Sequence, residues 1–227
     1  MTSSNKYSVV IPVYNNWQLT HQLLLDLFRV LPQDVEIVVA DDCSTQWEVS
    51  AGLDWWANGM FRDRLNIVRQ EMNVRFLRNA NSGVSNANGD VIILCNNDIR
   101  VYENPIPKIE ETLEEYPVPT LMGKSLQRGD TGWNRFGDKI FPYLEGWFLA
   151  FLKSDWNKFG GFDERFVPFD FEDVDLSTTF IHNGGTIVEL DVNVQHIGGQ
   201  SIGYSVERQR QTKINQEKFE NKWIKYD

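Results

Sequence analysis

The chain has 227 residues, 41% hydrophobic and 24% charged, with 22 Lys and Arg against 32 Asp and Glu for a net charge of −10. That length fits one domain burying about 70% of its unfolded surface, and the composition is that of an ordered globular protein. The acidic balance excludes a protein held on nucleic acid or anionic lipid by general electrostatics, because those partners need a basic face.

Residues 7–13 form a β-branched run closed by Tyr14-Asn15-Asn16, with Asn16 placed to cap the helix expected after it. Over 17–31, Leu19, Leu23, Leu24, Leu27, Phe28 and Leu31 recur at three- and four-residue spacing, a helical stripe. A second strand at 35–40 ends abruptly in Asp41-Asp42, and a helix is expected over 46–58. A third strand comes at 65–68, then a partly helical stretch at 73–87. The fourth strand, 91–95, is apolar throughout, as expected where both sheet faces are covered, and ends in Asn96-Asn97-Asp98. Strands separated by helices predict an α/β fold with a mostly parallel central sheet flanked by helices.

Beyond Tyr116 the alternation weakens. A strand at 118–123, a Gly- and Asp-containing loop at 127–137, an apolar stretch at 144–152 and a helical turn at 155–159 are expected. The acidic cluster Asp170, Glu172, Asp173 and Asp175 then precedes a helix. A strand at 186–192, a Gly-rich loop at 196–203 and a charged terminal helix at 205–223 complete the chain. Neither a signal peptide nor a membrane span is evident, which points to a cytoplasmic protein. Cys43 and Cys95 read as buried free thiols, and at least six of the eight Trp as packing residues.

In such sheets ligands gather at the carboxyl ends of strands, which draws attention to Asn15, Asp41, Asp42, Asn96 and Asp98. Hard divalent cations prefer oxygen ligands and fill their shells with phosphate and water, a use an Asp there would suit. Asp and Asn also terminate strands through turn propensity alone. The acidic cluster at 170–175 reads equally as capping carboxylates or as a base for a hydroxyl. His21 and His182 fall on helices as surface or packing residues, whereas His196 lies in a loop and could complete a site with Asp98. No glycine-rich phosphate loop of either common type occurs.

Taken in order, several segments resemble the family 2 glycosyltransferases of the GT-A fold over nearly the whole chain. Tyr7-Ser-Val-Val-Ile-Pro-Val-Tyr-Asn15 is similar to the family's opening strand, and Val38-Val-Ala-Asp-Asp-Cys-Ser-Thr45 to its VVDDxST segment. Residues 73–83 keep an N-x-x-F-x-x-x-x-N-x-G frame, with Arg75 where Gly is usual. Residues 89–98 resemble the version of the metal motif that ends in NND. Gly160-Gly-Phe-Asp-Glu-Arg-Phe166 and Phe171-Glu-Asp-Val-Asp-Leu176 match the acceptor-side pair, and His196 falls where a late His is common.

The resemblance implies a single catalytic domain over 1–227, with a nucleotide-sugar half at 1–100 and an acceptor half at 101–227. It implies an inverting transfer from a nucleoside-diphosphate sugar, a UDP-sugar first among donors, to a glycan or other hydroxyl acceptor. Pro12, Tyr14, Asn15, Asp41, Asp42, Asn81 and Asn97 would bind the donor. Asp98, with His196 and Asn96, would hold Mn²⁺ or Mg²⁺. Asp173 would be the base, with Glu172 beside it toward the acceptor. The acceptor itself would meet the 127–143 segment and the region near Trp147. Asn96 in place of Asp removes one charged ligand and implies modest metal affinity. The QxxRW signature of processive members is absent, favouring single addition. Two other readings remain open: a non-catalytic GT-A module binding a glycan or nucleotide sugar, and a sugar-phosphate nucleotidyltransferase. The second would want an Arg/Lys-bearing, Gly-rich loop where Tyr14-Asn15-Asn16-Trp17 stands.

Overall fold

The computed structural model describes residues 6–59, 61–128, 134–198 and 205–224. Its first half alternates β1 (Tyr7–Val13), α1 (Trp17–Val30), β2 (Glu36–Asp41), α2 (Trp47–Asn58), β3 (Leu65–Arg69), α3 (Phe76–Asn86) and β4 (Val91–Cys95). Next come β5 (Ile99–Val101), α4 (Ile106–Glu115), β6 (Thr120–Gly123), β7 (Arg135–Phe136), β8 (Lys139–Ile140), β9 (Phe148–Leu152) and α5 (Lys153–Phe159). A 3₁₀ turn at Glu164–Phe166 leads to α6 (Glu172–His182), β10 (Thr186–Glu189), β11 (Val194–His196) and α7 (Val206–Trp223).

The main sheet has seven strands in the order β10-β6-β9-β4-β1-β2-β3. β1 pairs in parallel with β2 and β4, β2 with β3, and β10 with β6, whereas β9 runs antiparallel between β4 and β6. Side chains alternate across it with the period of two that a strand imposes. Tyr7, Val9, Ile11 and Val13 of β1 face one core with Leu23, Leu27 and Leu53. Val10 faces the other, with Leu77, Val84 and Phe180. Each such side chain, fully buried, contributes about 1.5–3 kcal/mol. β9 repeats the pattern: Phe148 and Ala150 enter the first core, Leu149 and Phe151 the second.

α3 lies directly on the sheet because Gly83 has no side chain. A Cβ there would stand 2.7 Å from Val10 Cγ1 and 3.1 Å from Ala40 Cβ. That close approach fixes where α3 begins relative to the ends of β1 and β2.

The fold expected from the sequence is the one observed, with local corrections. His196 is not in a loop. It ends β11, which pairs antiparallel with β5 so that His196 stands opposite Ile99, the residue after Asp98. Asn16 precedes α1 in left-handed geometry and its side chain makes no capping bond. Cys95 is buried as expected, but Cys43 is exposed. His21 packs between Trp17 and Trp56, and His182 meets Trp223 edge-on. Trp56, Trp147 and Trp156 are buried, and Trp17 and Trp223 pack against the cores, but Trp47 and Trp55 are 74% and 69% exposed. Trp133, the rest of 129–133 and Gly199-Gln200-Ser201 lie outside the described residues. Among the described residues no helix is long and apolar enough to cross a membrane.

Candidate active site

A cavity of about 580 Å³ opens at the carboxyl ends of β1, β2 and β4, where the strand order reverses direction between β1 and β4. The first half of the chain contributes Pro12, Tyr14, Asn15, Asp42, Arg75, Asn79 and Asn96 to Asp98; the second contributes Gly146, Pro168, Phe169 and Glu172.

The rim is built by polar atoms stitching loops together. Asn15 Oδ1 accepts the backbone N–H groups of Thr45 (2.9 Å) and Gln46 (3.0 Å), tying the end of β1 to the loop after β2. Asp42 accepts from Val74 N–H at 2.6 Å and Arg75 N–H at 2.9 Å, one on each carboxylate oxygen. Burial nonetheless pushes the Asp42 carboxyl above its ordinary value, the two N–H bonds opposing it. Positive φ recurs around the cavity, at Asn15 (59°), Asn16 (55°), Arg75 (76°), Asp170 (70°) and Phe171 (76°). Asn tolerates this region, but Arg75, at φ 76° and ψ 165°, occupies one essentially restricted to Gly, at a cost of about 1–3 kcal/mol.

Asp98 is buried, with His196 Nε2 3.2 Å from its Oδ1. No hydrogen bond forms across that gap, and Oδ1 is left as a buried oxygen without one. Such an oxygen is costly unless something else binds it, and a hard cation is the natural occupant. His196 is held in turn by stacking on Trp147, ring centroids 5.0 Å apart. Among the described residues no three His, Cys, Asp or Glu side chains gather into a ligand set. A cation placed at that oxygen would meet Asp98, with His196 beside it and Asn96 on the same wall.

α6 begins at Glu172 after Phe171 turns the chain through left-handed geometry. Glu172 lines the cavity, and its Oε2 is a second buried oxygen without a hydrogen bond. Asp173 lies one layer back, its Oδ2 accepting Gly146 N–H at 3.3 Å and its Oδ1 Val174 N–H at 2.8 Å. Both side chains keep part of their surface open while protein atoms crowd the carboxyls. Desolvation pushes Asp173 up to about 7 and Glu172 well above its ordinary value, the neighbouring Asp173 charge adding to the latter.

α7 braces this region from behind. Asn215 is fully buried, with Nδ2 2.6, 2.7 and 3.0 Å from the carbonyls of Phe166, Phe169 and Asp170. Arg208 Nη2 pairs with Asp170 Oδ1 at 3.0 Å, and Thr212 Oγ1 donates to the same carboxylate.

Of the donor residues expected from the sequence, Pro12, Tyr14, Asn15, Asp42 and Asn97 line the cavity, and two do not. Asp41 faces away, accepting Ser44 N–H at 3.0 Å with Arg69 nearby. Asn81 spends both amide atoms on Phe162, donating to its carbonyl at 2.9 Å and accepting its N–H at 3.0 Å. The wall residues on that helix are Phe76 and Asn79, the latter about 200° round the helix from Asn81. Asn79 is buried and donates to Ala40 O at 2.7 Å. Pro168 and Phe169 were also missed, although they immediately precede the acidic cluster.

Fold and crevice together define an α/β protein of the GT-A kind. The description "Glycosyl transferase family 2" matches residues 8–175, and the chain belongs to that family. It is 28% identical over 120 residues to Glycosyltransferase GlyG of Streptococcus pneumoniae serotype 4, covering 53% of this chain and 39% of that protein. Similar solved structures include GalNAc-T7 with UDP, GalNAc and Mn²⁺, with a TM-score of 0.81 at 16% identity, over 100% of this chain and 49% of that one. Mannosyltransferase PcManGT from Pyrobaculum calidifontis, in complex with GDP-Man and Mn²⁺, has a TM-score of 0.69 at 18% identity, over 88% and 59%. S. aureus TarS 1-349 in complex with UDP-GlcNAc has a TM-score of 0.62 at 17% identity, over 88% and 62%. At these identities the structural likenesses establish the fold. The chain spans less than two thirds of each of these relatives.

Proposed function

We propose that the protein is an inverting, cation-assisted glycosyltransferase that moves one sugar at a time from a nucleoside-diphosphate donor, a UDP-sugar first, to a hydroxyl of a glycan or similar acceptor. The carrying observation is the crevice that brings Asp98, with its unbonded buried oxygen, together with Glu172 and the Asp173 behind it. It also supports the division of labour within 1–227: residues 1–100 supply the donor wall and 101–227 the acceptor wall.

The donor's base and ribose lie against Pro12, Tyr14, Asn15 and Asn97. Asp98, with His196 and Asn96, would hold Mn²⁺ or Mg²⁺, which would supply Lewis-acid stabilisation of the charge on the leaving diphosphate. Asp173 accepts the proton of the incoming hydroxyl while Glu172 orients the acceptor. The acceptor oxygen bonds the anomeric carbon as the glycosyl–phosphate bond breaks on the opposite face, so the configuration inverts. The free thiols Cys43 and Cys95 support a reducing, cytoplasmic setting.

The test is nucleotide release from UDP-, dTDP- and GDP-sugars, with and without Mn²⁺ and with an acceptor panel. Asp173→Asn should lower transfer by about 10²–10⁴-fold with an unchanged circular dichroism spectrum. An unchanged rate in that variant would remove the base assignment, and release of pyrophosphate would identify a nucleotidyltransferase.

A further inference from the structure

Arg75 is the one cationic side chain among the described residues lining the crevice, which also carries Asp42, Asp98 and Glu172. Its side chain is exposed and, although its charge favours the ionised form of nearby Asp42, its guanidinium makes no ion pair or hydrogen bond among the described residues. The backbone beneath it is nevertheless held in Gly-only geometry by the two N–H bonds to Asp42. A glycine would relieve that strain, and the fold would lose no side-chain bond.

We propose that Arg75 is a donor-anchoring residue, its guanidinium bonding the diphosphate oxygens of the nucleoside-diphosphate donor. The claim rests on the donor reading above and adds a residue and a role to it. A guanidinium presents a planar fork of donors that matches phosphate oxygens and is weakly hydrated, so it loses little on leaving water. In a chain of net charge −10, a fixed cation also offsets the repulsion an anionic donor meets at three carboxylates. One charged ligand for a cation at Asp98 leaves part of the diphosphate charge for Arg75 to neutralise.

The test compares wild type, Arg75→Gly and Arg75→Lys by calorimetric binding of UDP and GDP, in EDTA and in Mn²⁺, with uridine and guanosine as controls. Thermal melts run in parallel. Arg75→Gly should melt roughly 2–4 °C higher, because the strain is relieved. It should bind the tighter diphosphate at least about tenfold more weakly, most clearly in EDTA, with nucleoside affinity unchanged. Arg75→Lys should fall between, keeping the charge without the fork. Unchanged diphosphate affinity in Arg75→Gly overturns the proposal alone and leaves the transferase reading standing. An equal loss for the bare nucleosides also overturns it, by moving the contact to the base. A wild type that binds neither diphosphate under either condition sinks the donor reading and this proposal with it.

Discussion

Burial sets the chemistry of Asp173. The wall at Gly146 and the neighbouring Glu145 charge act in one direction on its carboxyl, the N–H bonds from Val174 and Gly146 in the other, and desolvation wins, placing it at about 7. A base works only when deprotonated, so kcat/KM of the wild type should rise through about pH 7 and level off above it. Stability should run the opposite way. The folded state holds this proton more tightly than the unfolded chain, whose Asp titrates near 3.8. The fold therefore keeps its full stability from this group below that value and loses it as pH climbs to about 7. Asp173→Asn carries no buried charge, so its thermal midpoint should exceed that of wild type at about pH 8 and converge with it at about pH 4. The same gap at both pH values would show that the substitution acts through packing instead.

At the scale of elements, the wall formed by Pro168 and Phe169 depends on α7, which places Asn215 beneath three carbonyls of that loop. Asn215→Ala leaves those buried acceptors without their donor, at about 2–4 kcal/mol. For a chain of this size that corresponds to a midpoint lowered by roughly 5–15 °C. If the loop shapes the acceptor wall, KM for the acceptor should rise more than KM for the donor; equal rises would assign α7 a purely structural role. None of this was visible in the sequence, where 205–223 reads only as a charged helix. The apolar part of its docking is Phe219 with Trp223 packed against the same core, too few positions to draw a stripe, and the rest is polar, through Asn215, Arg208 and Thr212. The strands β1, β2 and β4 were legible because burial on both faces leaves nearly unbroken apolar runs. β5 and β11 were not, since three residues carry almost no period, and with them went the register that sets His196 next to Asp98. The choice between Asp41 and Asp42 turns on which way adjacent residues point at a strand end, and the choice between Asn79 and Asn81 on helix phase. Composition encodes neither. Asp98, Glu172 and Asp173 could be singled out as candidates because their motifs lie at strand and helix ends, which the topology brings to the same side of the sheet.

For the whole molecule, an anionic donor must approach a protein of net charge −10 and enter a crevice with three carboxylates on its described walls. The carboxylates outnumber the single lining cation, Arg75, so the crevice repels the donor and attracts cations, and metal and nucleotide should bind as partners. Asp98 supplies a single carboxylate, and Mn²⁺ or Mg²⁺ ordinarily completes its shell with phosphate oxygens and water. A cation alone should therefore bind weakly, a nucleoside diphosphate alone should bind through the protein's own donors, and each should tighten the other by the same factor. The observable is a grid of thermal midpoints over UDP and Mn²⁺ concentrations, since a ligand that binds only the folded state raises stability as RT ln(1 + [L]/Kd). The combined shift should exceed the sum of the separate shifts, and Asp98→Asn should remove that excess while leaving the shift from UDP alone. A strictly additive grid in the wild type would mean that the cation and the diphosphate do not meet at Asp98.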